Sequence, residues 1–274
     1  MRWPPRIGNI CRNDFYVEMA ESMGYETSMN LMIVDDYEAL SRAGADWVTE
    51  SVNAKPDAAI VIATGETPMG VYRELAERRS RGLIDTSRLR VFELDAYLGL
   101  VPDDRRSLFG WARRSFIEPL GIAEENIVRL AGDARDPWEA CRRYEATVRK
   151  VGGFDLSILG LGPNGHLGFN EPPSLPDAPT RVVDLTPESI VSNGRYWGGE
   201  EQVPRQALTC GMDLLLKARR TLLLVSGMHK HQIVHRAVEG PQTPDVPASY
   251  LQSASHVTIL VDQEAWYGPQ KQNK

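Results

Sequence analysis

The chain has 274 residues, 42% hydrophobic and 25% charged, with a formal net charge of −6. That suits a globular protein with a sizeable core and sets aside disordered and fibrous classes. The acidic balance without a basic stripe argues against a nucleic-acid partner, and no apolar run reaches the roughly 18 residues that a membrane span needs.

Residues 1–28 show no strong periodicity and contain Pro4 and Pro5, so they read as an N-terminal extension to a single domain over 29–274. Arg2 and Arg6 are not followed by the apolar stretch of a secretory signal. Cys11, Cys141 and Cys210 are far apart and lack CxxC spacing, which points away from disulfides and zinc and towards a cytoplasmic protein.

Short apolar runs then alternate with amphipathic stretches. A strand over 31–34 leads to a helix over 37–53, and a strand over 58–63 to a helix over 69–79. A strand over 90–94 precedes the stretch 103–114, where Arg105, Arg106, Arg113 and Arg114 surround Leu108, Phe109 and Trp111. This stretch reads as a solvated amphipathic helix in preference to a polyanion site. A helix over 137–151 and a strand over 156–161 follow. Strands over 221–225 and 257–261 flank a helix over 230–238. The strands are rich in Val, Ile and Leu without polar alternation, as strands buried on both faces should be. The order predicts an α/β fold: one domain with a mostly parallel, doubly wound, Rossmann-like sheet. The proline-rich stretch 172–179 reads as a loop over the sheet edge.

Several runs end in residues with chemical potential, and open parallel sheets place ligands beyond the carboxyl ends of their strands. After the second run, ATGETPMGVYREL (63–75) offers Gly65 for close backbone approach, Thr67 as a helix cap and Pro68 at the first turn. Exposed amides there favour an anion, although a capped helix start without a ligand has the same pattern. Glu66 suits an anion site only if its side chain turns away. After the third run, Asp95 is a base, a ribose hook or a turn-former.

The segment LGLGPNGHLGFNEP (159–172) ends a buried strand at glycines and presents His166 and Glu171 together. That arrangement is how a sheet edge mounts acid/base groups, and a strand followed by an ordinary surface histidine would look the same. Arg195 in SNGRYW and Lys230 after the 221–225 strand are surface charges or phosphate clamps. His231 and His235 have i, i+4 spacing but no third metal ligand, so they read as a surface pair.

Taken in order, these motifs with TRVVDL, VPRQALTCGMDLLLKA and LLLVSGMHK resemble the hexosamine-6-phosphate deaminase/isomerase family, related in fold to 6-phosphogluconolactonases. The resemblance spans 29–262. It implies aldose–ketose isomerisation with loss of ammonia, and classes the chain as a hydrolase as well as an isomerase and deaminase. By resemblance, Asp95 is the base moving a proton between C2 and C1, His166 opens the ring, and Glu171 tunes His166. Asn164 joins the catalytic group, and Gly65, Glu66, Thr67, Arg195 and Lys230 hold the substrate phosphate. No metal or organic cofactor is implied, the partner is a small-molecule sugar phosphate, and a homo-oligomer is left open.

Three departures stand out: Asn164 replaces an aspartate expected to pair with the histidine, Ala96 replaces an acid, and Glu66 replaces a small or polar residue. The NGHLGFNEP form and VPASYL (246–251) look more like the galactosamine-6-phosphate branch than the glucosamine one. Galactosamine 6-phosphate is therefore the expected substrate, with glucosamine 6-phosphate the alternative. A non-catalytic sugar-phosphate sensor is motivated by Asn164 and Ala96; a lactonase fits less well, because those sequences lack FNEP. Val183 stands in place of a basic residue of the allosteric activator site that has counterparts in Ser174 and Arg181, so such regulation is not expected.

Overall fold

The computed structural model describes residues 29–269, so the extension expected over 1–28 lies outside the described residues. Strand β1 (Asn30–Val34) leads to helix α1 (Tyr37–Ala54). Asp36 starts α1 by accepting a hydrogen bond from the Ala39 amide at 2.7 Å, and Pro56 just beyond its end disfavours continuation. Strand β2 (Ala59–Ile62) and helix α2 (Met69–Ser80) follow, then β3 (Arg90–Glu93) and, one residue later, β4 (Asp95–Tyr97). Next come the short α3 (Leu108–Ala112), continued as one wider turn, β5 (Ile127–Val128) and α4 (Pro137–Lys150). Strands β6 (Leu156–Gly160) and β7 (Arg181–Asp184) precede α5 (Pro187–Trp197), β8 (Gln206–Thr209) and α6 (Met212–Leu215). The chain continues through β9 (Arg220–Val225), α7 (His231–Val238), β10 (Val257–Asp262) and α8 (Gln263–Tyr267).

Seven strands form one sheet in the order β1-β10-β9-β6-β2-β3-β5, and every pairing in it is parallel. Its strands feed two cores. Ala59 and Val61 of β2 and Leu223 and Val225 of β9 face one side, with Cys141, Tyr144 and Val148 of α4 and Ile233 and Val234 of α7. Ile60, Ile62, Leu222 and Leu224 face the other, with Leu40 and Val48 of α1 and Val71 and Leu75 of α2. Burial on both faces is why the strand sequences show no polar alternation. The α/β, doubly wound arrangement is therefore the one expected from the sequence.

A second, three-stranded sheet in the order β4-β8-β7 is antiparallel and was not expected. Its strands span three or four residues, and β7 is only partly buried, so no continuous apolar run marks them. The stretch 103–114 also departs from the sequence reading: Leu108, Phe109 and Ala112 are buried, and the arginines at 105, 106 and 114 reach the wall of a cavity. Among the described residues no helix is long and apolar enough to cross a membrane.

Chain order fixes where a ligand should sit. Strands β2 and β6 are neighbours, yet β2 is followed by β3 on one side and β6 leads to β9 on the other. A crevice opens beyond the carboxyl ends of two such strands, where the winding reverses.

Candidate active site

A cavity of about 540 Å³ occupies that crevice, and its wall includes Gly65, Glu66, Thr67, Asp95, His166 and Arg195. Four separate stretches of the sequence thus meet in one place. Asn164, Glu171 and Lys230 are not on its wall.

The loop after β2 bends at Gly65, whose φ of +106° is a conformation that L side chains rarely adopt. Thr67 does not cap α2 as the sequence suggested: Pro68 precedes the helix in a helical conformation, and no side chain caps it. Tyr37, from the start of α1, holds the loop instead. Its hydroxyl donates to the Glu66 carbonyl at 2.9 Å and accepts from the Gly70 amide at 2.8 Å. Sequence patterning gave no signal for this role, because Tyr37 lies 33 residues from Gly70. With the Met69, Gly70 and Tyr72 amides paired to Glu66, Tyr37 and Pro68, it is the preceding loop, Gly65 to Pro68, that lines the cavity and offers it backbone.

Asp95 is buried where β4 begins, and burial alone pushes its carboxyl up to about 7. A carboxylate poised near neutrality is suited to taking a proton from carbon and returning it. Gly168 lies against it, with room beside the Asp95 carboxylate for no more than an ordinary contact.

His166 lies flat on Gly162, where a Cβ would come within 2.2 Å of Nε2, so only glycine admits the ring. Its Nδ1 is 3.0 Å from Glu171 Oε2. That pairing assigns the Nδ1 proton to the carboxylate side and leaves Nε2 free to exchange a proton in the cavity. Glu171 is tied further by the Asn164 amide at 2.9 Å and the Thr186 hydroxyl at 3.2 Å. Burial by itself would raise the Glu171 carboxyl. The hydrogen bond and charge of His166, with bonds from Ser189 and Asn164, outweigh burial and bring it down to about 2. Asn164 therefore reaches the imidazole only through Glu171; its own contact with His166 is to the backbone amide, at 3.3 Å. Asn164 thus stands one hydrogen bond removed from the imidazole, on the far side of Glu171. Thr186 also caps α5, accepting from the Ser189 amide, so the start of that helix is fastened to the His166–Glu171 pair.

At the other end of α5, Arg195 Nη2 lies 3.2 Å from Glu66 Oε2 and donates to the Tyr196 hydroxyl at 2.6 Å. The Glu66 carboxylate does not turn away from the site but lies on Arg195, and having no proton to donate it offers an anion only its backbone. Lys230 donates to the Leu161 carbonyl at 2.6 Å. Burial, and after it the charge of Arg195, pulls its ammonium down to about 8.

The wall holds groups that sequence reasoning missed. Arg106 is bound by Asp104 at 2.7 Å and its guanidinium stacks 5.0 Å from the Trp197 ring, while Trp111 packs edge-on to Tyr196. The signal is the alternation of arginines and aromatics over 105–114, a pattern that a solvated helix face shares.

A family model described as glucosamine-6-phosphate isomerases/6-phosphogluconolactonase matches residues 35–260. A glucosamine-6-phosphate deaminase of Thermoanaerobacter sp. (strain X514) is 40% identical over 237 residues, which cover 86% of this chain and 94% of the relative. One from Rhodopirellula baltica (strain DSM 10527 / NCIMB 13988 / SH1) is 39% identical over 243 residues, 89% of this chain and 97% of the relative. Among solved structures, a monomeric glucosamine-6-phosphate deaminase described as a missing link of the NagB superfamily superposes with a TM-score of 0.84 at 37% identity, covering 86% of this chain and 98% of that one. The 6-phosphogluconolactonase of Trypanosoma brucei gives a TM-score of 0.68 at 19% identity over 88% of this chain and 98% of its own, a likeness of fold alone.

Two sequence expectations change here. The classing as a hydrolase is corrected: these closely similar relatives bear a deaminase name and the family an isomerase one, whereas the lactonase shares only the fold. The galactosamine branch finds no support, because these deaminases are named for glucosamine 6-phosphate.

Proposed function

The chain belongs to the family of glucosamine-6-phosphate isomerases and 6-phosphogluconolactonases, and from that premise we propose that it converts glucosamine 6-phosphate to a ketohexose 6-phosphate with release of ammonia. The observation that carries this reading is a buried Asp95 near neutrality sharing one cavity with the free face of a carboxylate-held histidine and with a phosphate-type loop.

In this reading the phosphate sits on the amides after Gly65, with the Thr67 hydroxyl and Arg195 as further donors and Lys230 as a nearby charge. His166 Nε2 protonates the ring oxygen as the sugar opens, and Glu171 stabilises the imidazolium on the other nitrogen. Asp95 takes the proton from C2 and delivers it to C1, which leaves an iminium at C2; water then adds at C2, the C–N bond breaks and ammonia departs, so the ketone oxygen comes from water. The carboxylate of Glu171 is kept ionised, so Asn164 need not carry a charge for the histidine to be tuned.

The deciding measurement follows ammonia release from the 6-phosphates of glucosamine and galactosamine. Glucosamine 6-phosphate should have the higher kcat/KM. Faster turnover of the galactosamine epimer restores the first expectation, and binding of either without turnover makes the protein a sugar-phosphate sensor.

A further inference from the structure

A carboxylate beside a phosphate site opposes the ligand by like-charge repulsion, yet Glu66 projects from the middle of the loop that would cradle the phosphate. Its carboxylate lies 3.2 Å from Arg195, the guanidinium that the same cavity offers to an anion. We propose that Glu66 is a resident counter-ion of Arg195 that the substrate phosphate displaces, and that it thereby sets the affinity of the site for phosphate esters.

The backbone of Glu66 is fixed while its side chain is not. Its carbonyl accepts from Tyr37 and from the Met69 amide, so the loop keeps its shape whatever the carboxylate does. The side chain itself is 63% exposed and has open water to swing into. Arg195 keeps a second tie: its guanidinium donates to the Tyr196 hydroxyl and lies 4.6 Å over that ring, so it stays at the cavity when Glu66 leaves. Tyr196 is held in turn against Trp111.

Charge accounts for why such a group sits beside Arg195. Arg195 and Lys230 lie close enough that the charge of one disfavours the charge of the other. Glu66 lowers that strain while no ligand is bound. To an arriving phosphate dianion these three groups present a summed charge of +1, where Arg195 and Lys230 alone would present +2. The loop thus trades some affinity for a fastened α5, the helix whose other end holds the His166–Glu171 pair through Thr186.

This inference rests on the phosphate placement proposed above, and its test reads binding without turnover. Inorganic phosphate is titrated into the full chain, with the tryptophan fluorescence of Trp111 and Trp197 on the cavity wall as the signal. Glu66→Gln should bind phosphate about two- to fivefold tighter, the worth of one exposed ion pair. The gain should vanish in the Arg195→Ala background, and the salt dependence of Glu66→Gln should be steeper than that of the parent. KM for the sugar phosphate should fall by a similar factor. Unchanged or weaker phosphate binding in Glu66→Gln overturns the inference, as does an equal gain without Arg195. Absence of phosphate binding in every variant overturns the inference together with the phosphate placement.

Discussion

At the scale of single residues, the role proposed for Asp95 as the base comes with a cost in stability. Its carboxyl stands at about 7 in the fold against 3.8 as its ordinary value, because it is buried. A carboxyl raised on folding leaves the native state unpenalised at low pH and destabilises it progressively as pH climbs from the unfolded value through the folded one. Asp95→Asn should therefore abolish ammonia release while raising the melting temperature at pH 8, with little change at pH 4. In the parent, kcat/KM should climb with pH through about 7 as the base ionises. Melting temperatures that shift equally at both pH values would remove the burial argument, and an active Asn variant would remove Asp95 as the base. Asp95, His166 and Glu171 were legible in the sequence because each follows a strand end and belongs to an ordered motif set. The partners of Asn164 and Glu66 were not, since a side chain's choice among nearby polar groups is decided by the fold.

At the scale of elements, the parallel strands were legible for the same reason that they are stable: each supplies side chains to two cores, so its sequence is continuously apolar. The small antiparallel sheet carries no such mark, although it begins at Asp95. What steadies that junction is the strand just before it. Phe92 of β3 is fully buried and packs edge-on to Phe154 at 5.4 Å and to Tyr144 at 6.1 Å. Tyr144 in turn donates its hydroxyl to the Glu93 carbonyl at 2.7 Å. Phe92→Ala should cost about 3–5 kcal/mol in denaturant unfolding, and Phe92→Leu about 1–2 kcal/mol. A loss below about 1 kcal/mol for the alanine variant would show that the aromatic cluster is not what holds β3 in place.

At the scale of the whole molecule, the shared sheet makes the two cores one folding unit. Neighbouring residues of β2 and β9 point into opposite clusters, so neither cluster can loosen without disturbing the strands that build the other. The start of the sheet is pinned as well: Asp155, just before β6, accepts from Lys55 at 2.6 Å and from the Ala59 amide of β2 at 2.9 Å. The site lies across the carboxyl ends of the same two strands, so ligand binding is coupled to the integrity of the entire sheet. Thermal unfolding should accordingly be a single transition with equal calorimetric and van't Hoff enthalpies. In the turnover-deficient Asp95→Asn variant, glucosamine 6-phosphate at 100 times its dissociation constant should shift that whole transition upwards by the equivalent of about 2.7 kcal/mol. Two resolved transitions, with only one responding to the sugar phosphate, would mean that the described residues fold as separate units and that the site belongs to one of them alone.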